Sequence, residues 1–135
     1  MDLTKKLPLW LLIVPTLLVL IYSMLSFIAF TDPISFHESM TIPVPEHGFM
    51  LLSWGGKNTA IVVGLILAIL SRQQLPLLIM MAVLVTMQFG DINAGTRTNV
   101  NVFVTYIGLG GVILEMILYA YWRSREQNVT SVATA

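Results

Sequence analysis

The stretch LPLWLLIVPTLLVLIYSMLSFIAF, residues 7–30, decides the fold class of this chain. It runs for 24 residues without a charged side chain, and about 20 apolar residues in a helix suffice to cross the hydrocarbon core of a bilayer. Lys5 and Lys6 precede it, as in a cleaved signal peptide, but the apolar region of such a peptide is usually only about 7–15 residues long. We therefore expect a membrane-spanning helix.

The composition places the rest of the chain in the same class. Hydrophobic residues make up 56% of the 135 residues, charged residues 10%, and the mean hydropathy is +0.83. We expect one membrane domain, residues 1–125, followed by a disordered polar tail, residues 126–135. The formal net charge of zero gives no indication of a nucleic-acid partner. The absence of Cys excludes disulfides and thiolate metal sites, and no cofactor is predicted.

Three further apolar stretches follow the first one. Together the four predict membrane helices over about 7–30, 49–70, 75–91 and 100–122. The second and third are joined by the short connection 71–74, which makes them antiparallel neighbours. The predicted fold class is all-α, a transmembrane antiparallel four-helix bundle.

The positive charges predict the orientation of the bundle. Cytoplasmic loops carry an excess of Lys and Arg. With the amino terminus inside, only Arg97 lies in an external loop, and all the other basic residues of the ends and loops are cytoplasmic: Lys5, Lys6, Arg72, Arg123 and Arg125. We expect both termini in the cytoplasm of a multi-pass protein of a bacterial inner (plasma) membrane.

Three charged residues lie in or beside these apolar stretches, namely Lys57, Asp91 and Glu115. A charge in hydrocarbon costs several kcal/mol by most estimates, so such residues usually face a protein interior. At about 1.5 Å per residue, Lys57 and Asp91 come to nearly the same level on neighbouring helices. We predict an ion pair between them, in a network with Gln88 and Asn58, and we favour a structural role for it over direct chemistry.

Glu115 lies lower in the membrane, far from that pair. It shares a helix face with Gly108, Gly111 and Tyr119. We expect its partner to be the Thr16 hydroxyl or a water, or the side chain to be protonated, because desolvation disfavours a charged carboxylate. A ligand-contacting or proton-carrying role is here as plausible as a structural one.

Two other groups of residues receive ordinary interpretations. The external loop contains imidazole and carboxylate groups, His37, Glu38, Glu46 and His47, which could ligate zinc or iron. Their spacing fits no established ligand pattern, so solvated loop residues are expected and no metal site is predicted. Membrane-interface anchoring is expected for the aromatic residues near the ends of the helices. These are Trp10, Tyr22, Trp54, Tyr119, Tyr121 and Trp122.

Three short motifs resemble those of a known family. They are WGGKNTA at residues 54–60, QFGD at residues 88–91, and Glu115 in the last helix. In this order they resemble the DoxX-like superfamily, in which an aromatic-Gly-Gly-Arg type entry to helix two, a Gly-Asp or Arg-Asp at the end of helix three and a Glu in helix four recur. The resemblance covers residues 7–122. This chain departs from the pattern in having Lys57 where many relatives carry Arg.

The resemblance implies an antiparallel four-helix bundle. The superfamily includes a subunit associated with a terminal quinol oxidase and thiosulfate oxidation, and members linked to redox stress complexes. This chain has no Cys, and so departs from the redox members of the superfamily.

Three functions remain open at this point. We favour a protein that binds a lipophilic small molecule, such as a quinone or a lipid, or that serves as accessory subunit of a membrane redox complex. The alternatives are a small membrane enzyme with Glu115 or Asp91 as acid or base, and a component of a proton-coupled transporter. The expected partners are the bilayer, the lipophilic ligand, and a second copy or a membrane complex. The candidate site residues are Glu115, Lys57, Asp91, Gln88, Asn58 and Trp54.

Overall fold

The computed structural model describes the backbone of residues 6–31, 48–98 and 103–133, and the side chains of residues 6–31, 53–97 and 103–127. A short 3-10 turn, Leu9–Leu12, leads into the first helix, α1, Ile13–Thr31. The helices that follow are α2, Gly48–Ser71, α3, Gln74–Thr98, and α4, Phe103–Ala133. The described part of the chain is therefore all-helical, as predicted.

Each of the four helices contains a segment that is long and apolar enough to cross a membrane. The segments are Leu9–Thr31, Ser53–Ser71, Gln74–Arg97 and Phe103–Gln127. Between 17% and 39% of their most apolar windows is buried inside the bundle, so most of these apolar residues point outward. Large exposed side chains such as Leu20, Phe27 and Ile117 form this outer surface. An outer surface this apolar is suited to lipid rather than to water.

Two helices extend beyond their predicted ends. Helix α3 continues to Thr98 instead of ending near Asp91, and α4 continues to Ala133 instead of ending near Trp122. The prediction of a disordered tail from residue 126 is therefore wrong as far as Ala133, because the chain is helical up to that residue. Hydropathy marks where apolar residues stop, but a helix continues into polar sequence as long as no residue breaks it.

The turn between α2 and α3 is bonded to the start of the chain. Arg72 has a positive φ of 53°, the left-handed conformation that commonly ends a helix. Its carbonyl accepts a hydrogen bond from the Leu7 backbone N–H at 2.7 Å, and its guanidinium Nη2 donates to the Leu7 carbonyl at 2.9 Å. Lys6 and Gln73 also form an isolated antiparallel bridge. These bonds attach the segment before α1 to one end of the bundle.

The helices pack as a ring in chain order. Helix α1 packs most extensively against α2, α2 contacts α3, α3 contacts α4, and α4 closes the ring against α1. The centre is filled by apolar side chains from all four helices, which interdigitate in place of water. Its largest fully buried apolar side chains are Leu7, Leu11, Leu65, Leu77, Leu84 and Val112.

The buried face of α1 contains Tyr22 and Ser26. Thr16, the residue expected to contact Glu115, is exposed. Ser26 Oγ donates to the Gly55 carbonyl at 3.1 Å, which joins α1 to α2. The interface-anchor interpretation is therefore wrong for Tyr22, and also for Trp122, whose side chain is buried in the bundle.

Candidate functional site

Lys57 and Asp91 form the predicted ion pair between α2 and α3. The Lys57 ammonium donates to both carboxylate oxygens of Asp91, at 2.6 and 2.7 Å. The two side chains are 28% and 34% exposed, so the pair is partly shielded from its surroundings. An ammonium has three N–H donors. Two of them are directed at Asp91, which leaves one for another acceptor.

The wider network predicted around this pair is not formed by direct hydrogen bonds. Gln88 is buried, and its amide Nε2 donates to the Tyr22 hydroxyl instead. Asn58 is only 1% exposed, and its amide Nδ2 has no hydrogen-bond partner among the described residues. A buried amide N–H without a partner costs about 1–3 kcal/mol, so such a group usually binds a water or a ligand.

A cleft brings these polar groups together. Its interior space is about 20 Å³, enough for about one water-sized group, and it lies among all four helices. Trp54, Lys57 and Asn58 line it from α2, and Gln88 and Asp91 line it from α3. The rest of the lining is mainly apolar, contributed by Ile21, Leu25, Ile61, Met87 and Val104. Five of the six candidate residues therefore lie around one space.

Tyr22 is a cleft residue that sequence reasoning missed. The hydrogen bond that its hydroxyl accepts from Gln88 joins α1 to α3 across the bundle. Gly108 of α4 lies against both side chains. A Cβ on Gly108 would come within 2.5 Å of Gln88 Nε2 and 2.8 Å of the Tyr22 hydroxyl oxygen. A side chain at this position would therefore have to displace the Gln88 amide or the Tyr22 hydroxyl. The sequence indicates the position of Tyr22 only through its spacing of four from Ser26, which places the two residues on one helix face.

Substitution of Gly108 by Ala tests this contact. We expect a loss of about 1–3 kcal/mol in the free energy of unfolding, because the added methyl group overpacks the bundle and displaces a buried hydrogen bond. The matched control is Gly110→Ala on the same helix, since nothing lies within 4 Å of a Cβ built there. Reversible unfolding in mixed micelles measures both variants. Equal stability of the two would contradict the packing described here.

Glu115, the sixth candidate residue, lies outside the cleft. Its side chain is 1% exposed, and neither carboxyl oxygen has a hydrogen-bond partner among the described residues. The expected partner, Thr16, is exposed, and its hydroxyl donates to the Leu12 carbonyl, one turn back in the chain, at 2.6 Å. The expectation of a Thr16 bond is therefore wrong. Glu115 follows Gly108 by seven residues, about 10 Å along α4, so the structure separates it from Asp91 as predicted.

The cleft presents polar groups that can recognise a ligand. Its charges cancel, since the Lys57 ammonium faces the Asp91 carboxylate. Its hydrogen-bond donors include the third ammonium N–H, the Asn58 amide and the hydroxyls of Tyr22 and Thr105. The described residues contain no group of three or more potential metal ligands. His37, Glu38, Glu46 and His47 lie outside the described residues.

Comparisons with known proteins add no identification. No protein-family model matches the sequence, and neither the curated proteins nor the solved structures contain a match to it.

Proposed function

We propose that this chain is a membrane protein that binds the polar head of a lipophilic small molecule in the cleft between α1, α2, α3 and α4. The observation that carries the proposal is the Asn58 side chain, a residue of the cleft lining whose buried amide Nδ2 has no hydrogen-bond partner among the described residues. Binding sites for small molecules are mostly apolar spaces with a few placed polar groups, and the cleft has this composition.

The charges of the cleft favour an uncharged head with hydrogen-bond acceptors. An anionic head would be attracted by Lys57 but repelled by Asp91, which lies 2.6 Å from the same ammonium. A carbonyl oxygen, by contrast, can accept from Asn58 Nδ2 and from the third ammonium N–H without disturbing the pair. A quinone or the ester group of a lipid has such carbonyls, and Trp54 at the cleft supplies an aromatic surface beside them.

The membrane arrangement is part of the same proposal. We place the helices antiparallel, with both termini in the cytoplasm of a bacterial inner membrane. The ion pair between Lys57 and Asp91 supports antiparallel α2 and α3, because the two residues lie at similar distances from the 71–74 turn. The hydrogen bond between Leu7 and Arg72 supports a position of the amino-terminal end beside that turn. The distribution of Lys and Arg supports the orientation. The outward apolar faces would then contact lipid, a second copy or the subunits of a redox complex, in keeping with the resemblance to the DoxX-like superfamily.

Fluorescence of Trp54 tests the binding of a quinone. In a Trp10→Phe/Trp122→Phe background, Trp54 is the only tryptophan. We expect a short-chain benzoquinone to quench its emission saturably. Asn58→Leu is expected to weaken the apparent affinity about tenfold, the factor that corresponds to one hydrogen bond of about 1.4 kcal/mol.

Asn93→Leu is the matched control for this titration. It makes the same change on an exposed residue of α3 that is not part of the cleft lining, so its affinity is expected to equal that of the parent. Quenching that rises linearly with quinone concentration and is equal in all three proteins would count against a quinone as the ligand.

A further inference from the structure

The carboxyl group of Glu115 is an unused chemical group in the interior of the bundle. It is 1% exposed and both oxygens lack hydrogen-bond partners among the described residues. It does not line the cleft, so the binding proposed above does not employ it. A carboxylate in such surroundings would be an uncompensated charge, whereas the neutral acid has no such cost.

The surroundings of Glu115 contain very few groups that titrate. Helix α4 contacts α1, the 3-10 turn before it, and α3. Residues 7–21 of α1 and its lead-in, and residues 73–90 of α3, contain no titratable side chain. The nearest titratable residues in the chain are Tyr22, directly after the first range and at the cleft, and Arg72, directly before the second. On α4 itself, Tyr119 lies one turn from Glu115. No cation lies in these intervals to hold Glu115 in its ionised form.

The two directions away from Glu115 along α4 differ. Toward the cleft, the buried apolar side chain of Leu18 of α1 packs against Gly111, with its Cδ2 3.0 Å from the position of a Cβ. In the other direction, the Tyr119 hydroxyl donates to Gln74 Oε1 at 2.8 Å, at the beginning of α3. The polar groups nearest to Glu115 along its own helix therefore lie toward the end of the bundle that carries the Arg72 turn.

We propose that Glu115 is a proton-binding site of the membrane interior, neutral at rest, which exchanges its proton with solvent through the end of the bundle where Tyr119 and Gln74 lie. In the exchange, the carboxyl O–H bond breaks and an O–H bond forms on a water molecule that enters beside Tyr119, which gives a carboxylate and a hydronium ion. Return of a proton from hydronium regenerates the acid. The site is independent of the ligand proposed for the cleft.

Infrared spectroscopy of the full-length protein in lipid nanodiscs tests the proposal near neutral pH. We expect a carbonyl band of an un-ionised carboxylic acid that Glu115→Gln removes and Asp91→Asn leaves in place. Transfer to D₂O should shift the band. A band that survives Glu115→Gln, or one that does not shift in D₂O, would overturn the proposal.

Exchange rates test the route. Tyr119→Phe is expected to slow the D₂O shift about tenfold, the factor expected for one lost hydrogen bond. The matched control, Tyr121→Phe on the exposed face of α4, should leave the rate unchanged. An exchange rate in Tyr119→Phe equal to that of the parent and of Tyr121→Phe would overturn the proposed direction.

A measurement on the parent protein does not depend on whether the variants fold. A hydrophobic carbodiimide adds to un-ionised carboxyl groups, so peptide mass mapping after treatment should find the adduct on Glu115. An adduct on Asp91 or Glu126, with Glu115 unmodified, would contradict the neutral interior acid.

Discussion

Substitution of Lys57 by Met is expected to lower the free energy of unfolding by about 1–3 kcal/mol. Loss of one partner costs little in an exposed ion pair and about 3–5 kcal/mol in a buried one. The Lys57–Asp91 pair lies between these limits, since its side chains are 28% and 34% exposed. Asp91 would be left beside an apolar cleft without its counter-ion. Reversible unfolding in mixed micelles measures the loss.

Charge reversal gives this prediction a stricter form. Lys57→Asp and Asp91→Lys should each destabilise the protein, and the double variant should recover much of the loss, because the two residues interact directly. Arg97→Met, which removes an exposed cation from the same helix as Asp91, is the control and should change stability by less than about 0.5 kcal/mol. Additive losses in the double variant would mean that the two charges do not meet.

Substitution of Glu115 by Leu is expected to stabilise the protein by about 1 kcal/mol. The change replaces two buried oxygens that have no partner among the described residues with apolar atoms of similar volume. Glu115→Lys should have the opposite effect, a loss of about 3 kcal/mol, because it places a cation in the same apolar interior. Ser124→Lys, at an exposed position on the same helix, is the control and should be nearly neutral.

A stabilising effect of Glu115→Leu would have a functional meaning. A residue that lowers stability where it stands is typical of a site kept for function rather than packing. If Glu115→Leu instead destabilises the bundle, the carboxyl group has a structural partner and the interior proton site loses its main support.

Helix existence and the ion pair could be predicted because both depend on short-range rules. Runs of about 20 apolar residues identify membrane-spanning helices. The pairing of Lys57 with Asp91 follows from counting residues away from a short turn, where a fixed rise per residue leaves little room for error. The ends of α3 and α4 could not be predicted in this way, because hydropathy indicates where the apolar segment ends and both helices continue beyond it.

The orientation of α1 about its own axis was not predictable from the sequence. Its residues are apolar all round, so periodicity gives no indication of which side faces the bundle. Thr16 and Tyr22 were therefore assigned to the wrong surroundings, and the partner proposed for Glu115 was wrong with them. Such rotation is set by close packing between helices, as at Gly108, which only the assembled bundle reveals.

Native mass spectrometry of gently extracted protein tests the central claim, that the cleft around Asn58 binds the head of a lipophilic molecule. The account predicts an adduct of constant mass on the parent and on Asn93→Leu that is lost from Asn58→Leu, because only the last variant removes a donor from the cleft. The same bulk lipids in the same proportions on all three proteins would contradict it.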